Sequence, residues 1–214
     1  MNLTLIILIL GSYLLGSIPF GLLIVKSHGK DIRSIGSGNI GATNVSRALG
    51  KKWAYFCFLL DCLKGLVPML IAKPFITPLT VVSMSLWLLV GCAAVVGHIF
   101  PIYLKFKGGK GMSTCMGIVL GLYPYYTLPG LISFAVWIIS VLLWRYVSLA
   151  SIIAAVTFPI SLVTAIILLH GWPLADLWPL LVVALVIPAL VIARHVENIK
   201  RLLEGSEPKV LQRK

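Results

Sequence analysis

Charge is what this chain has least of. Only 11% of its 214 residues are charged, against about 25% in soluble domains, so a solvated globular surface is excluded. Acids are the scarcer sign, with 6 Asp and Glu against 18 Lys and Arg. Cysteine is sparse too. Cys57, Cys62, Cys92 and Cys115 lie within or beside apolar runs and show no C-x-x-C spacing, so they read as small buried hydrophobes rather than disulfide partners or metal ligands. No cluster with metal-ligand spacing is visible, and neither a metal nor a cofactor is expected. No basic stretch precedes the first apolar run, so it reads as a retained helix and not a cleaved signal peptide. No internal repeat is obvious, which counts against an inverted-repeat transporter, and nothing is of low complexity.

Apolar residues fill the space. They make up 59% of the chain, and the mean hydropathy is +1.03. The chain is long enough for roughly six or seven spans of about 20 residues, with no room for a separate soluble domain. The spacing predicts an all-α integral membrane protein, one domain over residues 1–214. Its seven spans are Leu3–Val25, Trp53–Ile71, Leu79–Val96, Met112–Tyr123, Leu128–Trp144, Ser148–Leu169 and Leu177–Ile192. The fourth is short, at about 18 Å as a helix against a hydrocarbon core of about 30 Å.

A net charge of +12 would suggest nucleic acid in a soluble protein. Here the positive-inside rule explains it, and no nucleic-acid partner is expected. With seven spans, 16 of the 18 Lys and Arg fall in loops 26–52, 97–111 and 145–147 and in the tail, all on one side. That side is the cytoplasm, which leaves the N-terminus outside and the C-terminus inside. The opposite loops, Lys73–Pro78 and His170–Asp176, are brief. Trp53, Trp144, Trp172 and Trp178 sit near span ends, as an aromatic belt would place them.

Three polar islands interrupt the apolar chain on the basic side. The first runs from Gly36 to Arg47. Its Gly36-x-Gly38-x-x-Gly41 matches the dinucleotide fingerprint, but it follows a membrane span rather than a strand, so the match carries little. The underlying physics remains. Glycines such as Gly38 let backbone approach phosphate oxygens, Ser37, Asn39, Thr43 and Asn44 add hydrogen-bond partners, and Arg47 can grip a phosphate with two prongs. Asn44-Val-Ser46 is also a glycosylation sequon, discarded because it lies on the inner side.

The second island holds His98 and the turn Lys107-Gly108-Gly109-Lys110-Gly111. A P-loop needs Ser or Thr after Gly-Lys, and position 111 is Gly, so no ATP site is present. Positive-inside lysines explain the charge but not three glycines in four positions. Feeding directly into a helix, the turn suits an anion. His98 fits an interfacial residue as well as a ligand.

The third island, Arg194 to Gly205, reads as a helical end with His195 and Asn198 on one face. An amphipathic segment holding anionic lipid heads explains its basic residues, but not a His and an Asn side by side. Asp61 and Lys64 lie one turn apart within the second span. Such charges mark function by default, although a mutually neutralising structural pair fits as well.

Together the islands resemble the bacterial acyl-phosphate-dependent glycerol-3-phosphate acyltransferase family. The matching runs are Gly36–Arg47, Gly97–Pro101 with Phe106–Gly111, and Arg194–Ile199 with Arg201–Gly205. The resemblance implies acyl transfer from acyl phosphate to the 1-hydroxyl of glycerol 3-phosphate, using neither acyl-CoA nor acyl carrier protein. The product, 1-acylglycerol 3-phosphate, leads to phospholipid. By the family pattern, activity depends on Ser37, Arg47, His195 and Asn198, and the glycine-lysine turn is associated with glycerol 3-phosphate. Val196 and Ser113 are atypical, where a basic residue and Ala are expected.

The resemblance further implies a multi-pass protein of the bacterial inner membrane with a cytoplasmic active site. A monomer is expected, with membrane lipids and the enzyme that makes acyl phosphate as candidate partners. No third carboxylate completes a Ser37–His195 triad, which disfavours an acyl-serine intermediate. The alternative function is a transporter or flippase for a phosphorylated solute, but polar residues near mid-span are sparse.

Overall fold

A computed structural model describes residues 3–76, 80–169 and 174–210. Parts of both loops expected outside, Trp172 among them, and the basic residues Arg213 and Lys214 lie outside the described residues. All regular structure among the described residues is helical. Large apolar side chains stand on the surface, with Ile167 76% and Leu142 64% exposed. An aqueous protein does not tolerate so many, whereas lipid does.

Among the described residues, six helical segments are long and apolar enough to cross a bilayer: Leu3–Ser27, Lys51–Phe75, Val81–Leu104, Thr127–Trp144, Val147–Leu168 and Leu174–Ala193. The expected fourth span is instead a helix of 10 residues, Met112–Gly121. At about 1.5 Å per residue it is half a bilayer long. Asp176, expected in a loop, lies in the first turn of the last long helix.

The first run, expected as one helix, is broken. It forms α1 (Leu3–Gly16) and α2 (Phe20–Ser27). Pro19 has no amide proton to donate and disfavours helical backbone at Ile18, so the ladder fails there. At the break the Ile18 carbonyl accepts from Phe20 N at 3.1 Å and from Lys64 Nζ at 3.0 Å. One of the two intramembrane charges thus serves a backbone group that lipid could not satisfy.

The chain divides into two compact units, Met1–Gly121 and Leu122–Lys214. The first continues with α3 (Ala42–Leu49), α4 (Lys51–Ala72), α5 (Val81–Ile99) and α6 (Met112–Gly121). Its helices pack closely through glycine. A Cβ on Gly16 would collide with the Ala94 carbonyl of α5, and one on Gly65 with the Thr114 carbonyl of α6. Small residues let backbones approach where lipid tails provide no hydrophobic drive. Beneath the first island, Ile24, Val25, Ile32, Ile40, Val45 and Cys57 form one apolar cluster, with Leu104 packed against it. Both the first and second islands therefore rest on the same core.

The second unit holds α7 (Thr127–Trp144), α8 (Val147–Leu168), α9 (Leu174–Ala193) and α10 (Val196–Leu203). Tyr126 donates its hydroxyl proton to Leu180 O of α9 at 2.6 Å, and Ser161 of α8 donates to Pro129 O of α7 at 3.1 Å. Gly205, with φ +70°, ends α10 in the left-handed conformation.

Candidate active site

In the first unit, the Gly36–Gly41 loop is built around one buried side chain. Asn44, 1% exposed in α3, turns its amide back into the loop. Its Oδ1 accepts from Ser37 N at 3.1 Å, and its Nδ2 donates to Ile32 O at 3.1 Å and Ile35 O at 2.9 Å. Asn44 is thus the clamp that shapes the loop. Asn39 acts locally in the same way, its Oδ1 accepting from Gly41 N at 2.9 Å.

Gly36 and Gly38 have φ of +55° and +65°, which side-chain-bearing residues rarely adopt. Space is also tight at Gly36, where a Cβ would stand 2.8 Å from Arg47 Cδ. The Arg47 stem therefore crosses the loop backbone beside Ser37. Both Ser37 and Arg47 are exposed, and Thr43 and Gly38 are half-buried. The loop thus presents a hydroxyl, a guanidinium and backbone at the start of a helix, a set of groups suited to phosphate.

The second island folds back on the end of α5. Gly109 N donates to His98 O and Gly108 N to Ile99 O, both at 3.1 Å. A Cβ on Gly108 would collide with the His98 carbonyl, and one on Gly109 with the His98 ring at Nε2. The glycines are therefore required by close packing over His98, which is 5% exposed. Lys107 is exposed, Lys110 half-buried and Gly111 buried. Gly111, at φ +87°, starts α6.

In the second unit, His195 sits at the N-cap of α10 and is 2% exposed. Its Nδ1 lies 2.8 Å from Val191 O. A carbonyl only accepts, so Nδ1 carries a proton, and Nε2 is the nitrogen at which the ring can gain or lose a second one. Asn198, 6% exposed, donates from Nδ2 to Glu207 Oε1 at 2.6 Å.

Glu207 escaped the sequence reading. The same Oε1 accepts from Ser148 of α8 at 2.7 Å, and its Oε2 pairs with Arg201 Nε at 2.7 Å. Burial alone would push this carboxyl up in pKa. Hydrogen bonds from Ser148, Asn198 and Arg201, together with the Arg201 charge, overcome that and hold it below the usual glutamate range. The available signal was an acid just past Gly205 in an otherwise basic tail. Among the described residues, no three His, Cys, Asp or Glu side chains group as metal ligands.

A family model described as glycerol-3-phosphate acyltransferase matches residues 6–205, nearly the whole chain and all three islands. The chain belongs to the glycerol-3-phosphate acyltransferase family. It is 47% identical over 204 residues to the glycerol-3-phosphate acyltransferase of Aquifex aeolicus, covering 94% of this chain and 96% of that one. It is 45% identical over 203 residues to that of Geotalea daltonii, covering 94% and 95%. Among solved structures it resembles PlsY (YgiH), described as an integral membrane glycerol 3-phosphate acyltransferase. The glycerol 3-phosphate form of that protein aligns with a TM-score of 0.83 at 45% identity, over 96% of this chain and 95% of that one. Its lysophosphatidic acid form aligns at 0.81 and 44% identity, with the same coverage. As a member of the family, the chain is an acyltransferase of phospholipid biosynthesis with apolar transmembrane helices.

Proposed function

We propose that the protein transfers a fatty acyl group from acyl phosphate to the 1-hydroxyl of glycerol 3-phosphate, giving 1-acylglycerol 3-phosphate and phosphate. The observation that carries this reading is family membership over nearly the whole chain, alongside solved relatives in a glycerol 3-phosphate form and a lysophosphatidic acid form. Those are the acceptor and product of such a transfer. Acyl phosphate as donor suits a chain in which no Ser-His-carboxylate triad is legible. A mixed anhydride has a good leaving group, so positioning and charge stabilisation suffice.

In this reading the glycerol hydroxyl oxygen attacks the acyl carbon directly. The new ester bond forms as the carbon–phosphate oxygen bond breaks, and phosphate leaves with the electron pair. Arg47, Lys107 and Lys110 hold phosphate, with backbone N–H groups of the two turns other than those of Ser37, Gly38, Gly41, Gly108 and Gly109, which donate within the protein. Ser37, Asn198 and His195 orient the reactants or stabilise the oxyanion. The hydroxyl proton goes to His195 Nε2 or to a substrate phosphate oxygen.

The chain works as one domain with the N-terminus outside and the C-terminus inside, so that α6, half a bilayer long by itself, completes the seventh crossing only together with the turns that flank it. Its site faces the cytoplasm from the inner membrane, a location supported by the basic loops on that side. It acts as a monomer receiving acyl phosphate from the enzyme that makes it.

The test uses purified protein in lipid with palmitoyl phosphate and glycerol 3-phosphate, without CoA or added metal. Phosphate release should depend on glycerol 3-phosphate and collapse in Arg47→Ala and His195→Ala. Oxygen-18 in the 1-hydroxyl should end in the ester, whereas trapping of an acyl-Ser37 protein would defeat direct attack. Inert folded protein that moves a phosphorylated solute across vesicles would replace the enzyme with a transporter.

A further inference from the structure

The proposed mechanism leaves the two charges inside α4 without a role, and they are the most costly groups in the membrane. Asp61 is 2% and Lys64 3% exposed. They pair with each other, Lys64 Nζ standing 2.8 Å from Asp61 Oδ1. A pair that served only to cancel itself would have no reason to meet a third ionisable group. This one does. His98 Nδ1 lies 3.7 Å from the same Asp61 Oδ1, close but beyond hydrogen-bond distance. The opposite edge of that ring, at Nε2, lies against Gly109, where a Cβ could not fit. The imidazole is thus wedged between a carboxylate of α4 and the backbone of the glycine-lysine turn.

The network reaches the other island as well. Cys57, fully buried, has its thiol 3.7 Å from Asp61 Oδ2, within the reach of a sulfur donor. Cys57 belongs to the apolar cluster that carries Ile40 and Val45 of the first island. Asp61 is therefore linked to the bed of one anion-suited loop and, through His98, to the other. Lys64 pairs with it and ties the assembly to the broken helix at Ile18.

We propose that Asp61 is a positioning residue that acts through His98. Its carboxylate holds the imidazole, and the imidazole holds the Lys107–Gly111 turn in the shape that receives the phosphate of glycerol 3-phosphate. Lys64 pairs with that carboxylate inside the apolar span. At metal sites, loss of a carboxylate that orients a histidine costs about 10–100-fold in affinity or activity, and the low end of that range is the effect expected of Asp61. This rests on the acyl transfer proposed above, because it assigns glycerol 3-phosphate to that turn.

The test avoids stranding a buried charge. Asp61→Leu/Lys64→Leu removes both charges together, a change that membrane and soluble cores accept better than removal of one partner. The expected result is a KM for glycerol 3-phosphate raised about tenfold or more, with kcat and the KM for palmitoyl phosphate changed by less than about threefold. His98→Gln should raise the same KM, and adding His98→Gln to the double variant should raise it no further. A KM for glycerol 3-phosphate within about twofold of the wild type in the double variant overturns the proposal and leaves a self-cancelling structural pair. So do additive effects of the His98 and Asp61/Lys64 changes.

A second measurement needs no folded Asp61 variant. Nitrogen-15 histidine spectra of the wild type, assigned by loss of a signal in His98→Gln, should show a proton on His98 Nδ1. A bare Nδ1 would mean no donor faces Asp61, and the proposal fails. Wild-type protein that does not release phosphate from acyl phosphate with glycerol 3-phosphate defeats the acyl transfer reading itself. Active wild type with unaltered variants defeats only the positioning role.

Discussion

The Asn198 side chain donates to the Glu207 carboxylate at 2.6 Å, across the left-handed turn at Gly205 that ends α10. That carboxylate also collects Ser148 and Arg201, so one acid fixes the orientation of a residue tied by resemblance to activity. The tail is drawn in further by Val210 N, which donates to Arg145 O at 2.8 Å. Replacing Glu207 by Ala leaves three donors without their acceptor. Ser148 and Asn198 are buried, and a buried donor that loses an acceptor costs about 1–3 kcal/mol. Thermal unfolding in detergent should show a clear drop for Glu207→Ala, with acyl transfer reduced alongside. Glu204→Ala, at an exposed position, should change neither.

The same carboxylate makes stability depend on acid. Its folded pKa lies below the unfolded value of about 4.3. Its contribution is therefore present above the ordinary glutamate range and is lost as pH falls through the folded pKa. The unfolding temperature should hold between about pH 5 and pH 7 and decline on the acid side of that range. In Glu207→Gln that acid decline should be shallower. An equal decline in both proteins would assign it to other carboxylates.

Asn44 tests how the first loop is held. Asn44→Ala removes one acceptor for Ser37 N and two donations to backbone carbonyls at once. The expected cost is about 1–3 kcal/mol, felt in the loop and not in α5, which packs against α1, α4 and α6 rather than α3. Hydrogen exchange should quicken across residues 31–41 and stay unchanged in α5. Activity should fall although Asn44 is too buried to serve as an exposed phosphate contact.

Glycine position matters more than glycine number. At Gly108 a Cβ would strike backbone and Pro101, which cannot yield, whereas at Gly11 it meets nothing within 4 Å. Gly108→Ala should raise the KM for glycerol 3-phosphate by about tenfold or more or abolish activity. Gly11→Ala should behave as wild type in steady-state kinetics and in unfolding temperature.

Hydropathy alone indicated helices in a bilayer, because a long apolar run with few charges has no other stable state in the chain's solvent. The order of the three islands pointed to the family for a similar reason. Phosphate chemistry needs glycine, amide and arginine close together in sequence when one loop supplies them. Local rules also foretold the end of α10 at Gly205. The break at Ser17–Pro19 was written in Pro19, yet the apolar run concealed it, since hydropathy does not register a missing amide proton. Residues 112–121 are apolar, but the helix they form stops at Gly121, which apolar composition does not reveal.

Tertiary structure decided what no linear pattern carries. Asn44, read as a phosphate contact, proved to be the clamp of its own loop. The glycines of the second island answer to the bulk of His98, eleven residues before Gly109. Glu207 became the partner of Asn198 only because the chain reverses after α10 and brings Ser148 of α8 to the same oxygen. Sequence specifies which groups are present, but burial turns each one into an obligation to find a partner. Which partner satisfies it is fixed by packing between segments far apart in the chain.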